Sequence, residues 1–259
     1  FLTVYGYRCG YGSTGTRVGA RLMLGSEAGL DQEELVELGM AALFHDIGKE
    51  RIDKKLLKKR GPLTRPEQEI IDAHCAHGAQ MVAAFKAFPR RSVTALAQHH
   101  ERADGSGHPQ GLAGKDIDPL ARMLAIADAY DNHCNHADPG ESLTPYLALS
   151  FMFGQQKRQF DTEYLSLFIR CLGVYPPGTV VQLSNAAIGM VMSVNPDNQL
   201  CPSLVLYDPE VPKREALIVD LAEEPDLHVE KSIRLSHLPP EIMEYLNPRA
   251  RITYYVDPS

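Results

Sequence analysis

Phe44-His45-Asp46-Ile47-Gly48-Lys49 is the stretch on which the reading of this chain turns. It closes an apolar helical run in which Asp31 and Glu34 form a capping-box pattern and Leu35, Leu38, Ala41 and Ala42 recur at the spacing of one helix face. An adjacent His–Asp pair at a helix end can offer an imidazole nitrogen and a carboxylate to one divalent ion. The carboxylate can also reach a second ion.

Working outward, further histidines and a carboxylate arrive on helices. His74 lies 29 residues beyond His45, behind the start signal Thr64-Arg65-Pro66-Glu67. This start signal leads a helix that runs through Ile70, Ile71, His74 and Met81. His99-His100 ends another helical stretch and runs into 101–115, a loop with four glycines and a proline. Asp128 sits among Ile126, Ala127 and Ala129, where a carboxylate needs a partner and a metal is a good one. Eight of the ten histidines fall between His45 and His136. The ordered series His-Asp, His, His-His, Asp reads as a metal site. Helices are also expected from Asp118-Pro119 through Tyr130, from Thr144 to about Phe153, and from Asp161 to about Leu172.

The character changes at Gly173, where Tyr175-Pro176-Pro177-Gly178 breaks the pattern. Short β-rich runs follow at 179–183, 187–194, 203–207 and 216–221, then a short helix at 241–246 and a last strand at 251–256. The expected fold class is mainly α: a helical bundle over 13–173 followed by a small antiparallel β domain over 174–259. Residues 1–12 read as the end of an upstream region, since the chain begins with Phe1.

The 259 residues carry 26 basic and 33 acidic side chains, a net charge of −7, with 44% hydrophobic content. That supports a folded chain and argues against a general grip on DNA. No apolar run is long enough to span a membrane. Five cysteines, none in a CxxC pair, read as free thiols of a reducing cytoplasm.

Taken with Lys59-Arg60-Gly61-Pro62-Leu63-Thr64, His99-His100-Glu101-Arg102, Asp104-Gly105-Ser106-Gly107-His108-Pro109-Gln110-Gly111-Leu112 and Ala127-Asp128-Ala129-Tyr130-Asp131, the motif set resembles the HD-GYP domain. That domain is a branch of the HD metal-dependent phosphohydrolases, and the resemblance runs from about Arg17 to Leu172. It implies an HD-type helical bundle with two or three divalent ions, iron or manganese. The reaction it implies is hydrolysis of cyclic di-GMP to pGpG or GMP in bacterial signalling. His45, Asp46, His74, His99, His100 and Asp128 match metal ligands, with Asp46 as the bridging carboxylate. Lys49 matches the lysine that reaches the scissile phosphate. Gly107, His108, Pro109 and Asp131 match positions near the substrate. Protein partners of the GGDEF type and homodimerisation go with the resemblance.

The chain departs from the family pattern in four places. The ligand histidine expected about 32 residues before His45 is Ser13, or Thr14 when aligned on Arg17-Val18. The tyrosine of the Gly-Tyr-Pro signature is His108. Two basic positions that hold phosphate are Ala137 and Gly140. Losing two fixed cations weakens the hold on a phosphodiester. The alternatives to a phosphodiesterase are therefore a degenerate domain that senses nucleotide or binds proteins, and an HD phosphohydrolase acting on another nucleotide.

Overall fold

A computed structural model describes residues 14–59, 61–136, 139–195 and 197–246. The chain forms two compact units. Among the described residues, one takes the chain up to Ala129 together with Gln156–Leu167, and the other takes Tyr130–Gln155 and the chain from Phe168.

The first unit is helical. Its elements are α1 (Thr14–Glu27), α2 (Gln32–Phe44), a 3₁₀ turn (Ile47–Arg51), α3 (Lys54–Leu57), α4 (Arg65–Asp72), α5 (His74–Ala83), α6 (Arg90–Gln98) and most of α7 (Pro119–Cys134). The start signals read from the sequence are used as such. Glu34 N–H donates to Asp31 Oδ1 at 2.9 Å, and Asp31 N–H donates back to Glu34 Oε2 at 3.2 Å. Thr64 N–H donates to Glu67 Oε2 at 2.8 Å, and Lys59 Nζ reaches the same carboxylate at 2.6 Å. Leu38, Ala41, Ala95, Leu96, Leu120 and Met123 are fully buried and form the middle of this unit.

The single helix expected over Thr64 to Met81 is two helices, α4 and α5, offset at Ala73. The His74 ring is the reason. Its Nδ1 donates to the Ile71 carbonyl at 2.7 Å, taking an acceptor that the next helical N–H would use. Ile70 on α4 is 51% exposed.

The second unit carries α8 (Pro145–Gly154), the end of α9 (Thr162–Leu172), five strands and α10 (Pro240–Leu246). The strands β1 (Val180–Leu183), β2 (Ile188–Ser193), β3 (Ser203–Leu206), β4 (Ile218–Asp220) and β5 (Val229–Ile233) form one antiparallel sheet in the order β4-β3-β2-β1-β5. Neighbouring side chains point to opposite faces. Val181, Leu183, Val191 and Leu204 pack under Tyr175 and Tyr146, whereas Val180 packs with Leu238, Ile242 and Leu246 of the α10 region. Tyr146 stacks on Tyr175 at 5.1 Å, and the Thr144 and Ser232 hydroxyls lie 2.8 Å apart. These contacts attach α8 to the sheet, although its sequence reads with the helical half.

Strand β5 has no counterpart in the sequence reading. Its residues Val229-Glu230-Lys231-Ser232-Ile233 hold three polar side chains, and among the described residues it pairs on one side only, with β1. A half-exposed edge strand does not need the apolar alternation that marks a central one. The strand expected at 251–256 lies outside the described residues.

Candidate metal centre

Three histidines of the first unit stand just past helix ends. His45 follows α2, His99 follows α6, and His74 comes two residues after the end of α4. The last carbonyls of a helix have no partner within it. Each of these rings supplies one. Nδ1 of His45 donates to Ala42 O at 2.9 Å, Nδ1 of His74 to Ile71 O at 2.7 Å, and Nδ1 of His99 to Leu96 O at 2.7 Å. A carbonyl can only accept, so each Nδ1 carries the proton and each Nε2 presents a lone pair. Backbone capping thus sets the tautomer that a metal-ligating imidazole needs.

The lone pairs converge. His74 Nε2 and His99 Nε2 lie 3.3 Å apart. With both Nδ1 atoms protonated, neither Nε2 can donate to the other, and the contact is one that a shared cation relieves. His45 Nε2 is buried without a hydrogen-bond partner, 3.5 Å from Asp128 Oδ1 and 3.6 Å from Asp46 Oδ2. Asp46 Oδ1 stands 3.6 Å from His74 Nε2, and His100 Nδ1 stands 3.9 Å from Asp128 Oδ2. The His99 and His100 rings lie 4.2 Å apart. The structure therefore brings together all six residues read as ligands: His45, Asp46, His74, His99, His100 and Asp128. Imidazole and carboxylate donors at such spacings fit a divalent transition metal, whose ligands stand ~2–2.2 Å from the ion.

Gly48 makes this convergence possible. A Cβ built there would overlap the His74 carbonyl and stand 2.5 Å from Gly78 N. Without a side chain, the 3₁₀ turn lies directly on the first turn of α5. His74 thereby reaches the His45–Asp46 pair.

Burial sets the protonation states. It pushes the His74 and His99 imidazoles below their ordinary range, His99 well below, with the neighbouring His100 adding to the effect. His100 falls to about 3 through burial, against the opposing pull of Asp128. These three imidazoles are neutral at pH 7 and available as ligands. For Asp46, burial favours the neutral acid, but His45 and Lys49 outweigh it and hold the carboxyl well below the usual range. For Asp128, burial again favours the neutral acid, but the facing His45 and His100 rings and the Arg21 guanidinium outweigh it and hold the carboxyl well below the usual range. Both carboxylates are ionised.

Lys49 Nζ lies 2.7 Å from Asp46 Oδ1, with the lysine side chain 35% exposed. The glycine loop is organised from below by Glu101, a buried carboxylate that accepts from Gln110 N at 2.7 Å and Leu112 N at 2.9 Å. A Cβ on Gly107 would collide with the Arg102 N–H and the His100 carbonyl, so the loop folds onto the His99–His100 corner only with glycine there. The His108–Pro109 bond is cis. The His108 ring lies 4.9 Å from the His100 ring, and its Nε2 is 3.6 Å from Asp72 Oδ1. Gly107, His108 and Pro109 thus border the metal ligands. Asp131 lies one helical turn beyond Asp128 on α7 and accepts from Asn135 Nδ2 at 3.0 Å.

Of the positions where the chain departs from the family pattern, Ser13 and Ala137 lie outside the described residues. Thr14 opens α1. Gly140 lies in a 3₁₀ turn, and its carbonyl accepts from Arg234 Nη1 at 3.2 Å. His136 pairs with exposed Glu141 at 3.3 Å.

Two residues at this centre were not singled out in the sequence. Arg21 is 1% exposed, and its Nη2 lies 3.7 Å from Asp128 Oδ1. Its signal was a lone cation between Ala20 and Leu24, both buried. Cys75 is fully buried, its Sγ 3.7 Å from His74 Nε2. The ligand atoms of His74, Cys75, His99 and His100 all lie within 4.8 Å of one another. Burial, with the nearby Asp46 charge, pushes the Cys75 thiol up to about 12.

A helical unit whose chain reversals aim imidazole lone pairs and two carboxylates at one point has the make-up of a divalent-metal domain. The HD domain family matches residues 11–164, and the chain belongs to it. Within that family its motifs are of the HD-GYP kind. The chain is similar to the cyclic di-GMP phosphodiesterase PA4108 of Pseudomonas aeruginosa, 33% identical over 66% of this chain and 41% of that protein. It is also similar to the 3'3'-cGAMP-specific phosphodiesterase 3 of Vibrio cholerae, 32% identical over 60% of this chain and 33% of that one. The chain thus spans less than half the length of either relative. Among solved structures, Bd1817, an HDG"Y"P protein from Bdellovibrio bacteriovorus, shares the fold with a TM-score of 0.51. It is 23% identical over 60% of this chain and 49% of that one. Among the described residues no helix is long and apolar enough to cross a membrane.

Proposed function

We propose that this chain is a metal-dependent phosphodiesterase that hydrolyses cyclic di-GMP, or a related cyclic dinucleotide, to pGpG or GMP. The observation that carries the reading is the convergence of three capped imidazoles, His100 and two ionised carboxylates at one point. His45, Asp46, His74, His99, His100 and Asp128 would hold two or three divalent ions, iron or manganese, with Asp46 shared between ions. Ions bound there would activate a water nucleophile and neutralise charge on the phosphoryl group. Lys49 lies at the exposed side of Asp46 and would contact a non-bridging phosphoryl oxygen as charge grows there. The loop at Gly107, His108 and Pro109 would border the nucleotide, and Asp131 would lie near it. Naming cyclic dinucleotides rests on the activities of the similar proteins. A cytoplasmic setting, GGDEF-type partners and a homodimer belong to the same reading.

A second reading is favoured by the absence of a basic side chain at Gly140 and of an imidazole at Thr14. On it, the domain binds metal and nucleotide without turnover. One experiment separates the two. Purified chain is loaded with ferrous or manganous ion without oxygen and incubated with cyclic di-GMP and 3'3'-cGAMP, and products are resolved by chromatography. Linear product that is lost in Asp46→Ala supports the phosphodiesterase. Intact substrate over hours, with metal bound, rejects it in favour of the second reading. Turnover only of other nucleotides in a panel would point to a different HD phosphohydrolase.

A further inference from the structure

We infer that Cys75 is a metal ligand, and that one ion of this centre is held by a three-nitrogen, one-sulfur set made of His74, Cys75, His99 and His100. The geometry is the first argument. For a tetrahedral ion with bonds of ~2.05 Å to nitrogen and ~2.3 Å to sulfur, ligand atoms should stand ~3.3 Å apart for a nitrogen pair and ~3.6 Å for nitrogen to sulfur. The structure has His74 Nε2 to His99 Nε2 at 3.3 Å and His74 Nε2 to Cys75 Sγ at 3.7 Å. All four ligand atoms fall within 4.8 Å of one another.

The local fold is the second argument. His74 and Cys75 are the first two residues of α5, where the helix restarts after Ala73. Neighbours in mid-helix diverge by about 100° around the axis. Here the His74 ring folds back to cap Ile71 O, which swings its Nε2 to the side on which Cys75 Sγ lies. The third argument is what surrounds the sulfur. Cys75 and His99 are fully buried and His74 is 2% exposed, so the thiol is shielded from solvent oxidants and faces imidazoles instead.

On binding, the S–H bond breaks, its proton leaves to solvent, and a sulfur–metal bond forms, with no change of oxidation state. A thiolate among imidazoles favours softer ions, so the centre should take zinc, cobalt or ferrous ion over manganese. The inference rests on the proposed function only in expecting an ion at these histidines. It adds a donor and a metal preference.

The test is cobalt substitution of the whole chain without oxygen, read by absorption and by metal content. Wild-type protein should show the near-ultraviolet sulfur-to-cobalt charge-transfer band. Cys75→Ser should bind cobalt without it. The preference for zinc over manganese in competition should fall by about tenfold or more in the variant. X-ray absorption of the zinc-loaded wild type should show a sulfur neighbour at ~2.3 Å, which needs no variant to fold. Cobalt bound in stoichiometric amount with no charge-transfer band overturns the inference and leaves the phosphodiesterase reading standing. A band that persists in Cys75→Ser also overturns it, since another thiol is then the donor. No cobalt, zinc or manganese bound at all overturns both.

Discussion

Replacing Gly48 by alanine adds one methyl group, and the structure predicts that it disables the metal centre. The new Cβ would stand 2.5 Å from Gly78 N and 2.9 Å from the His74 carbonyl carbon, and would overlap the carbonyl oxygen. Ordinary contacts to carbon are ~3.5 Å or more. Every neighbour that would have to yield is backbone, so the first turn of α5 must move away by about 1 Å. Overpacking of this kind costs about 1–3 kcal/mol. At roughly 2–4 °C per kcal/mol for a chain of this size, the melting temperature should fall by about 3–10 °C. The larger effect is on the site. His74 moves with α5 while His45 and Asp46 do not, and a 1 Å misplacement costs on the order of a hundredfold in rate. The assay is metal content by mass spectrometry, together with melting curves taken with and without chelator. Wild type should gain stability on metal loading and Gly48→Ala should gain much less, because an ion stabilises only in proportion to how well the native site holds it. A variant that melts within 1 °C of wild type and carries the same metal content would refute the argument.

Three further outcomes follow from the same geometry. Arg21→Met leaves Asp128 buried without its guanidinium, so the metal-free protein should lose about 3–5 kcal/mol, and saturating metal should recover part of that loss; chelator-treated and metal-loaded melts compare the two. Glu101→Gln gives one of the two loop N–H donors an amide NH₂ in place of an acceptor. About 1–3 kcal/mol should be lost, with faster hydrogen exchange at Gln110 and Leu112 in particular. In metal-free protein the unfolded chain protonates its histidines below pH 6.5 while native His74, His99 and His100 stay neutral. Stability should therefore fall as pH drops below 6.5; His100 contributes up to about 1.4 kcal/mol per unit down to about pH 3, where the native ring takes its proton, and His74 and His99 act in the same direction. Urea midpoints between pH 7.5 and 5 check the direction, which the His100→Gln variant should weaken.

The parts of this molecule that were legible in its sequence are those where local chemistry and tertiary need coincide. The capping boxes at Asp31 and Thr64 were readable because each is closed by residues only three apart in the chain. The six metal-site residues were readable because a His–Asp pair, a His–His pair and an aspartate in an apolar run make poor core on their own. The offset between α4 and α5 was not readable. It depends on the His74 ring taking the Ile71 carbonyl, and the residues around it carry no Gly or Pro to announce a break. Strand β5 was missed because its partner β1 supplies the order that its own polar sequence does not. Cys75 and Arg21 were missed for a different reason. Each is a single residue whose meaning depends on what stands across from it, and only the fold brings them to His99 and to Asp128.

The charges at the centre show why such a site can fold before an ion arrives. Asp46 and Asp128 bring two negative charges, and Lys49 and Arg21 bring two positive charges, at 2.7 Å from Asp46 and 3.7 Å from Asp128. Burial keeps His74, His99 and His100 neutral. Each carboxylate thus faces a cation of the protein itself, which offsets the cost of holding it at the centre. The two cations differ in exposure: Arg21 is 1% exposed, while the Lys49 side chain is 35% exposed. An ion entering beside Asp46 competes with Lys49 for the same oxygen. The lysine is the more exposed of the two cations, on the side of the site that solvent reaches. Arg21, enclosed beside Asp128, stays to offset the carboxylate. The two carboxylates therefore differ in setting: the one beside Lys49 faces the open side of the site, and the one beside Arg21 is enclosed.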